Sequence, residues 1–148
     1  MREGKRIIYL AGAMGCYGAF AEYPKKWRND VKEYFKKYSD NFICISPTDY
    51  FEIGSNYHKT EREPMNFDLR KVRESDVVLV NLKDLDKSTG TSDEIFYAWM
   101  RGMPVIGFLE EGDEKDVHPW KRDVQIDRIE CGKDSMQKAM EYIKNYYW

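Results

Sequence analysis

The stretch Ser75-Asp76-Val77-Val78-Leu79-Val80-Asn81-Leu82, with the polar loop that follows it to Gly90, decides the fold. A helix opens at Thr91-Ser92-Asp93-Glu94 and runs through Ile95-Phe96-Tyr97-Ala98-Trp99. Gly102 ends it, and a second apolar run follows at Pro104-Val105-Ile106-Gly107-Phe108-Leu109. Both runs are short, rich in β-branched residues and do not alternate. Strands buried on both faces of a parallel sheet read this way. Glu94 in the first turn of the intervening helix then lies at the C-terminal edge of the sheet, where open α/β folds place ligands.

The same logic extends in both directions. Residues 7–11 read as a first strand, and Gly12, Gly15 and Gly18 make the next loop glycine-rich. Trp27, Val31, Tyr34, Phe35 and Tyr38 fall at helical spacing between Tyr23 and Tyr38. Residues 42–45 form a second strand, stopped by Ser46-Pro47. A long loop, 48–63, carries Tyr50, Phe51, Tyr57 and His58, and its length marks it as functional or ordered by a partner. Pro64 suits the first turn of a second helix, with Asp68 in its first turn and Met65, Leu69 and Val72 as its apolar stripe. Beyond Leu109 come a charged loop, an edge strand at 124–129, and a last helix capped by Ser135, with Met136, Ala139, Met140 and Ile143 on its buried face.

Five strands alternating with helices predict one domain over 1–148: a doubly wound, five-stranded parallel sheet with helices on both faces. The flavodoxin-like order 2-1-3-4-5 puts strands one and three side by side at the switch point. The glycine loop, Asp68 and Glu94 then share one crevice.

Composition excludes several classes. Lys and Arg total 24 against 26 Asp and Glu, a net charge of -2, with the basic residues scattered among acids. That argues against binding a nucleic acid polymer. No apolar run is long enough to span a membrane. Three cysteines without CxxC spacing predict reduced thiols in a cytoplasmic protein. Two histidines and no ligand spacing predict no metal. A 15% aromatic content predicts a homo-oligomer, since aromatic residues concentrate at interfaces, although they also fill cores.

Glu94 admits two readings. Thr91-x-x-Glu94 has capping-box spacing, in which the glutamate returns to the cap amide. Alternatively it is a nucleophile, kept ionised by the helix dipole. Asp68 borders an apolar stripe, where a carboxyl can act as an acid; its plainer role is to complement its own helix. Glycines in Gly12-Ala13-Met14-Gly15 let backbone amides approach a phosphate or sugar, and a tight strand-to-helix turn needs them as well. Loop serines are usually just solvated, but Ser88 lies six residues before Glu94 at the crevice mouth.

Taken together, these residues resemble the nucleoside 2-deoxyribosyltransferase family. The match rests on Tyr9-Leu10-Ala11-Gly12-Ala13-Met14, Asp68-Leu69 and Ser75-Asp76-Val77-Val78-Leu79-Val80. It continues through Ser88-x-Gly90-Thr91-x-x-Glu94-Ile95-x-Tyr97-Ala98 and Gly102-x-Pro104-Val105. The ordered set is specific; no single piece is.

The resemblance implies an enzyme that cleaves the N-glycosidic bond of a (deoxy)nucleoside and transfers the sugar to another base. Glu94 is the implied nucleophile, forming a covalent glycosyl-glutamate, and Asp68 assists protonation of the leaving base. Gly12, Ala13, Met14, Gly15, Ser88 and Gly90 are the implied substrate-binding residues. The partners are a nucleoside or nucleotide and a free nucleobase, with no cofactor and no metal. One departure matters: the transferases carry aspartate where this chain has Ser88. Serine there resembles the related deoxynucleoside 5'-monophosphate N-glycosidases, in which it helps hold phosphate. Hydrolysis of a monophosphate is therefore an alternative. A non-catalytic nucleotide-binding or signalling module is a third.

Overall fold

The computed structural model describes residues 4–18, 21–50 and 59–146. Five strands, β1 (Arg6–Gly12), β2 (Phe42–Ile45), β3 (Val77–Asn81), β4 (Val105–Leu109) and β5 (Arg128–Cys131), form one sheet in the order β2-β1-β3-β4-β5. Every neighbouring pair is parallel. Four helices, α1 (Tyr23–Tyr38), α2 (Arg62–Arg73), α3 (Thr89–Met100) and α4 (Ser135–Tyr146), cover both faces; the first three make crossovers, short turns connect β4 to β5, and α4 follows β5. The flavodoxin-like order predicted from the chain is the one found, with β1 paired to β3 from Ile8–Val77 to Gly12–Asn81.

Alternate side chains of each strand point to opposite faces, which divides the core in two. Ile8, Leu10, Leu79, Ile106 and Phe108 pack under α1 and α4 with Trp27, Val31, Phe35, Ala139, Met140 and Ile143. Tyr9, Ala11, Val78, Val80 and Val105 pack under α2 and α3 with Val72, Ile95 and Ala98. Tyr9 therefore lies on the face that carries Asp68 and Glu94.

Several boundaries differ from the sequence reading. The fifth strand begins at Arg128, not at 124. Trp120–Gln125 is a π-helical turn, and Val124 lies 53% exposed on it. Helix α2 starts at Arg62, so Asp68 sits in its second turn rather than its first. Met65 is 45% exposed, which leaves Val72 as the only fully buried residue of α2. Ser135 is inside α4 and fully buried, and its Oγ has no hydrogen-bond partner, so it is not a side-chain cap. Phe51, Tyr57 and His58 of the long loop lie outside the described residues.

Candidate active site

Helix α3 opens one turn earlier than the sequence suggests. Its N-cap is Ser88, whose Oγ accepts from Thr91 N at 3.3 Å and lies 2.7 Å from Thr91 Oγ1. Glu94 is thus in the second turn, not the first, and takes no part in the cap. The capping-box reading of Glu94 falls. Its side chain points inward and is only 8% exposed.

Three buried oxygens meet where α2, α3 and β1 come together. Tyr9 Oη, Asp68 Oδ1 and Glu94 Oε2 are each buried without a hydrogen-bond partner. Buried polar atoms are rarely left so, which makes this cluster the candidate site. The Tyr9 hydroxyl and Glu94 are neighbours without an aligned hydrogen bond, yet each is felt in the other's titration.

Burial pushes the Glu94 carboxyl up to about 8. Tyr9 and Arg28 oppose the rise, whereas Asp68 and Asp93 add to it. This reverses the expectation that the helix dipole keeps Glu94 ionised: beyond the first turn the dipole is weak, and desolvation wins. Burial likewise raises Asp68 to about 6, against the pull of Arg28. Between these values the pair carries one proton, held on Glu94 by its deeper burial.

Arg28 and Tyr9 are the residues that sequence reasoning missed. Arg28 is 1% exposed and lies over the Trp27 ring at 4.6 Å. It donates to Pro24 O at 2.9 Å, Gly12 O at 3.0 Å and Leu10 O at 3.5 Å. Its signal was available, since it sits three residues before Val31 and seven before Phe35, on the buried stripe of α1. Tyr9 could be seen as the one hydroxyl in an otherwise apolar strand.

The loop after β1 is anchored to the crevice wall. Tyr17 Oη donates to Asp84 Oδ2 at 2.6 Å, and Lys83 Nζ lies 4.3 Å over the Tyr23 ring. Gly12 and Ala13 are buried, Met14 is half-buried and Gly15 is exposed. A Cβ on Gly12 would come within 2.8 Å of Trp27 Cζ2, so the close approach this glycine permits is to α1. A Cβ on Gly15 would meet nothing within 4 Å. Ser88 is half-buried and Gly90 is exposed. Ser88 stands about 9 Å before Glu94 along the helix axis at the usual rise per residue. Of the candidates, Asp68 and Glu94 are brought together. The Gly12–Arg28 bond ties the end of β1 to α1, and Ser88 and Gly90 stand one to two turns from Glu94. A groove of about 1030 Å³ on the other flank of α3, lined by Phe96, Trp120 and Lys121, includes none of Tyr9, Asp68 or Glu94.

Among the described residues no group of His, Cys, Asp and Glu could hold a metal ion, and no helix is long and apolar enough to cross a membrane. The cysteines Cys16, Cys44 and Cys131 are all free thiols.

Comparison with known proteins agrees with this architecture. A crystal structure of a conserved protein from Enterococcus faecalis V583 superposes with a TM-score of 0.72 at 14% identity, covering 93% of this chain and 98% of the other. A 2-deoxyribosyltransferase from Bacillus psychrosaccharolyticus superposes with a TM-score of 0.63 at 17% identity, covering 95% of this chain and 91% of the other. No curated protein sequence matches. The family model for nucleoside 2-deoxyribosyltransferase matches residues 8–140, which include every strand from Ile8 onward, Asp68 and Glu94, and the chain belongs to that family.

Proposed function

We propose that this protein cleaves the N-glycosidic bond of a (deoxy)nucleoside through a covalent glycosyl-glutamate and transfers the sugar to another base. The Glu94 carboxylate attacks the anomeric carbon as the bond from that carbon to the base nitrogen breaks. The base leaves with a proton passed through Asp68. A second base then attacks the anomeric carbon of the glycosyl ester, its N–H proton returns to Asp68, Glu94 departs as carboxylate, and two displacements give retention. The observation that carries this reading is geometric: buried Glu94 on α3 and half-buried Asp68 on α2 each hold a carboxyl oxygen without a hydrogen-bond partner, and burial raises both carboxyls, which leaves the pair one proton near neutral pH. One nucleophile and one acid need that proton count. Substrate must shift the proton from Glu94 toward Asp68 and the base, and a polar ligand that supplies partners to Glu94 Oε2 acts in that direction.

A second reading, hydrolysis of a (deoxy)nucleoside 5'-monophosphate, is favoured by Ser88. The residue caps α3, and the N-terminal amides of a helix attract phosphate. The deciding experiment is product analysis of a panel of nucleosides and their monophosphates, with and without a free acceptor base. New nucleoside formed only when acceptor is added supports transfer. Sugar phosphate formed without acceptor supports hydrolysis. No base release from any member rejects both.

A further inference from the structure

We propose that Arg28 is a positioning residue of this site, a buried guanidinium that pins the end of β1 beneath the crevice and supplies the positive field in which the Glu94 and Asp68 carboxyls work. The proposal rests on the assignment of Glu94 and Asp68 as the reacting pair.

Arg28 is the largest of the fully buried side chains, and no carboxylate lies within ion-pairing distance of it among the described residues. Burying a cation without a counterion costs several kcal/mol. Its neighbours on the same face of α1 are Pro24, Trp27, Val31 and Phe35, so an apolar residue would suit the packing better. The three carbonyls it bonds soften the cost without neutralising the charge. Two of them, Leu10 O and Gly12 O, belong to the last turn of chain before the crevice. Gly12 makes the arrangement possible. A Cβ there would lie 3.5 Å from Arg28 Nη2 as well as 2.8 Å from Trp27.

The charges that face Glu94 come from every element around it. Tyr9 approaches from β1, Asp68 from α2, Arg28 from α1 and Asp93 from α3 itself. Among these four, Arg28 alone carries a positive charge. It also faces Asp68. Without it, the two carboxyls would lose the one positive charge that favours their ionised forms, and the Glu94 nucleophile would be harder to form. Burial lowers Arg28 only to about 10, so it stays cationic at neutral pH. A lysine starts from a lower value and holds its charge less securely under the same burial.

The test is a carbon-13 NMR titration of protein with labelled Asp and Glu carboxyls, in wild type, Arg28→Met, Arg28→Gln and Arg28→Lys. The Glu94 signal is assigned by its loss in Glu94→Gln. Both neutral variants should raise the Glu94 midpoint by about one pH unit or more. Arg28→Lys should restore most of the difference. Arg28→Gln keeps an amide for the carbonyls, which protects the fold if Arg28→Met fails. An unmoved midpoint in a folded neutral variant overturns the proposal. So does a Lys variant that moves it as far as Gln does. The titration needs no turnover: an inactive protein with a shifted midpoint rejects the enzymatic reading alone, and an active one with an unmoved midpoint rejects Arg28 alone.

Discussion

The Tyr9 hydroxyl faces the Glu94 carboxyl from β1, and neither Tyr9 Oη nor Glu94 Oε2 has a hydrogen-bond partner. The phenol favours the carboxylate form of Glu94. Tyr9→Phe removes that support and deletes a buried unsatisfied oxygen. Stability should hold or rise slightly. The Glu94 midpoint should rise, and kcat/KM at pH 7 should fall, because less Glu94 carboxylate is then available. Steady-state kinetics beside a thermal melt measure both. Unchanged kinetics would make Tyr9 a packing residue only.

The paired carboxyls predict a bell-shaped pH profile. The active form holds one proton, so kcat/KM should rise near pH 6 and fall near pH 8, these being values of the pair rather than of either residue. Asp68→Asn removes one titration and one negative charge. The bell should become a single ascending limb, with its midpoint below 8. A flat profile from pH 5 to 9 would sink the shared-proton account.

Glu94 also leaves a mark on stability. Its folded value, about 8, exceeds its ordinary 4.5. Between these values the folded state holds a proton that the unfolded state has lost, so stability falls as pH rises. The loss is complete above pH 8 and is on the order of 5 kcal/mol. Glu94→Gln cannot ionise. Its Tm should be nearly flat over a range in which wild type declines, while turnover drops by orders of magnitude because no glycosyl ester can form. A slow fluorinated substrate analogue should leave wild type heavier by one glycosyl group, with the label on Glu94. Near-normal turnover by folded Glu94→Gln would defeat the mechanism.

Ser88 separates the two proposed reactions. Aspartate is as good an N-cap as serine, so Ser88→Asp should keep the Thr91 amide satisfied and the melting temperature within a few degrees. A phosphate held at that helix end would meet a new negative charge. Calorimetric titration with a nucleoside and its 5'-monophosphate should show the monophosphate preferred by wild type and disfavoured by the variant. Equal affinities in wild type, unchanged by the substitution, would remove the monophosphate reading.

Helix α3 presents apolar residues to solvent as well as to the core. Phe96, Trp99 and Met100 are 46%, 40% and 63% exposed. A cluster of this size on one helix is characteristic of an interface. Light scattering at micromolar concentration should report a homo-oligomer, and Trp99→Glu should dissociate it. A wild-type monomer would refute the expectation.

What the chain revealed and what it concealed have a common physical origin. Helix α1 and strand β2 have the bounds read from the sequence, Tyr23–Tyr38 and Phe42–Ile45, because periodicity and the Ser46-Pro47 stop are local properties. The start of α3 was misplaced because Ser88 and Thr91 are both hydroxyl caps by type; only their contact shows which one the helix uses. The edge strand was drawn too early because Val124 and Ile126 alternate as a strand would, yet the π-helical turn buries Ile126 and exposes Val124. Asp68 and Glu94 were legible as types in a pattern. Their protonation was not, since burial and four neighbours from four elements set it. Arg28 is legible by position, on the buried stripe of α1, but not by role, since two of its three carbonyl partners come from β1.

The three thiols differ in a way that is useful at the bench. Burial pushes Cys44 up to about 12 and raises Cys131, so neither presents much thiolate at neutral pH. Cys16 is exposed, on the loop that links Gly12 to Tyr17. A maleimide dye at pH 7 therefore reaches one position without mutagenesis. That position lies on the short segment after β1, next to the Tyr17–Asp84 anchor, so the native chain carries its own single attachment point for a fluorescent label there.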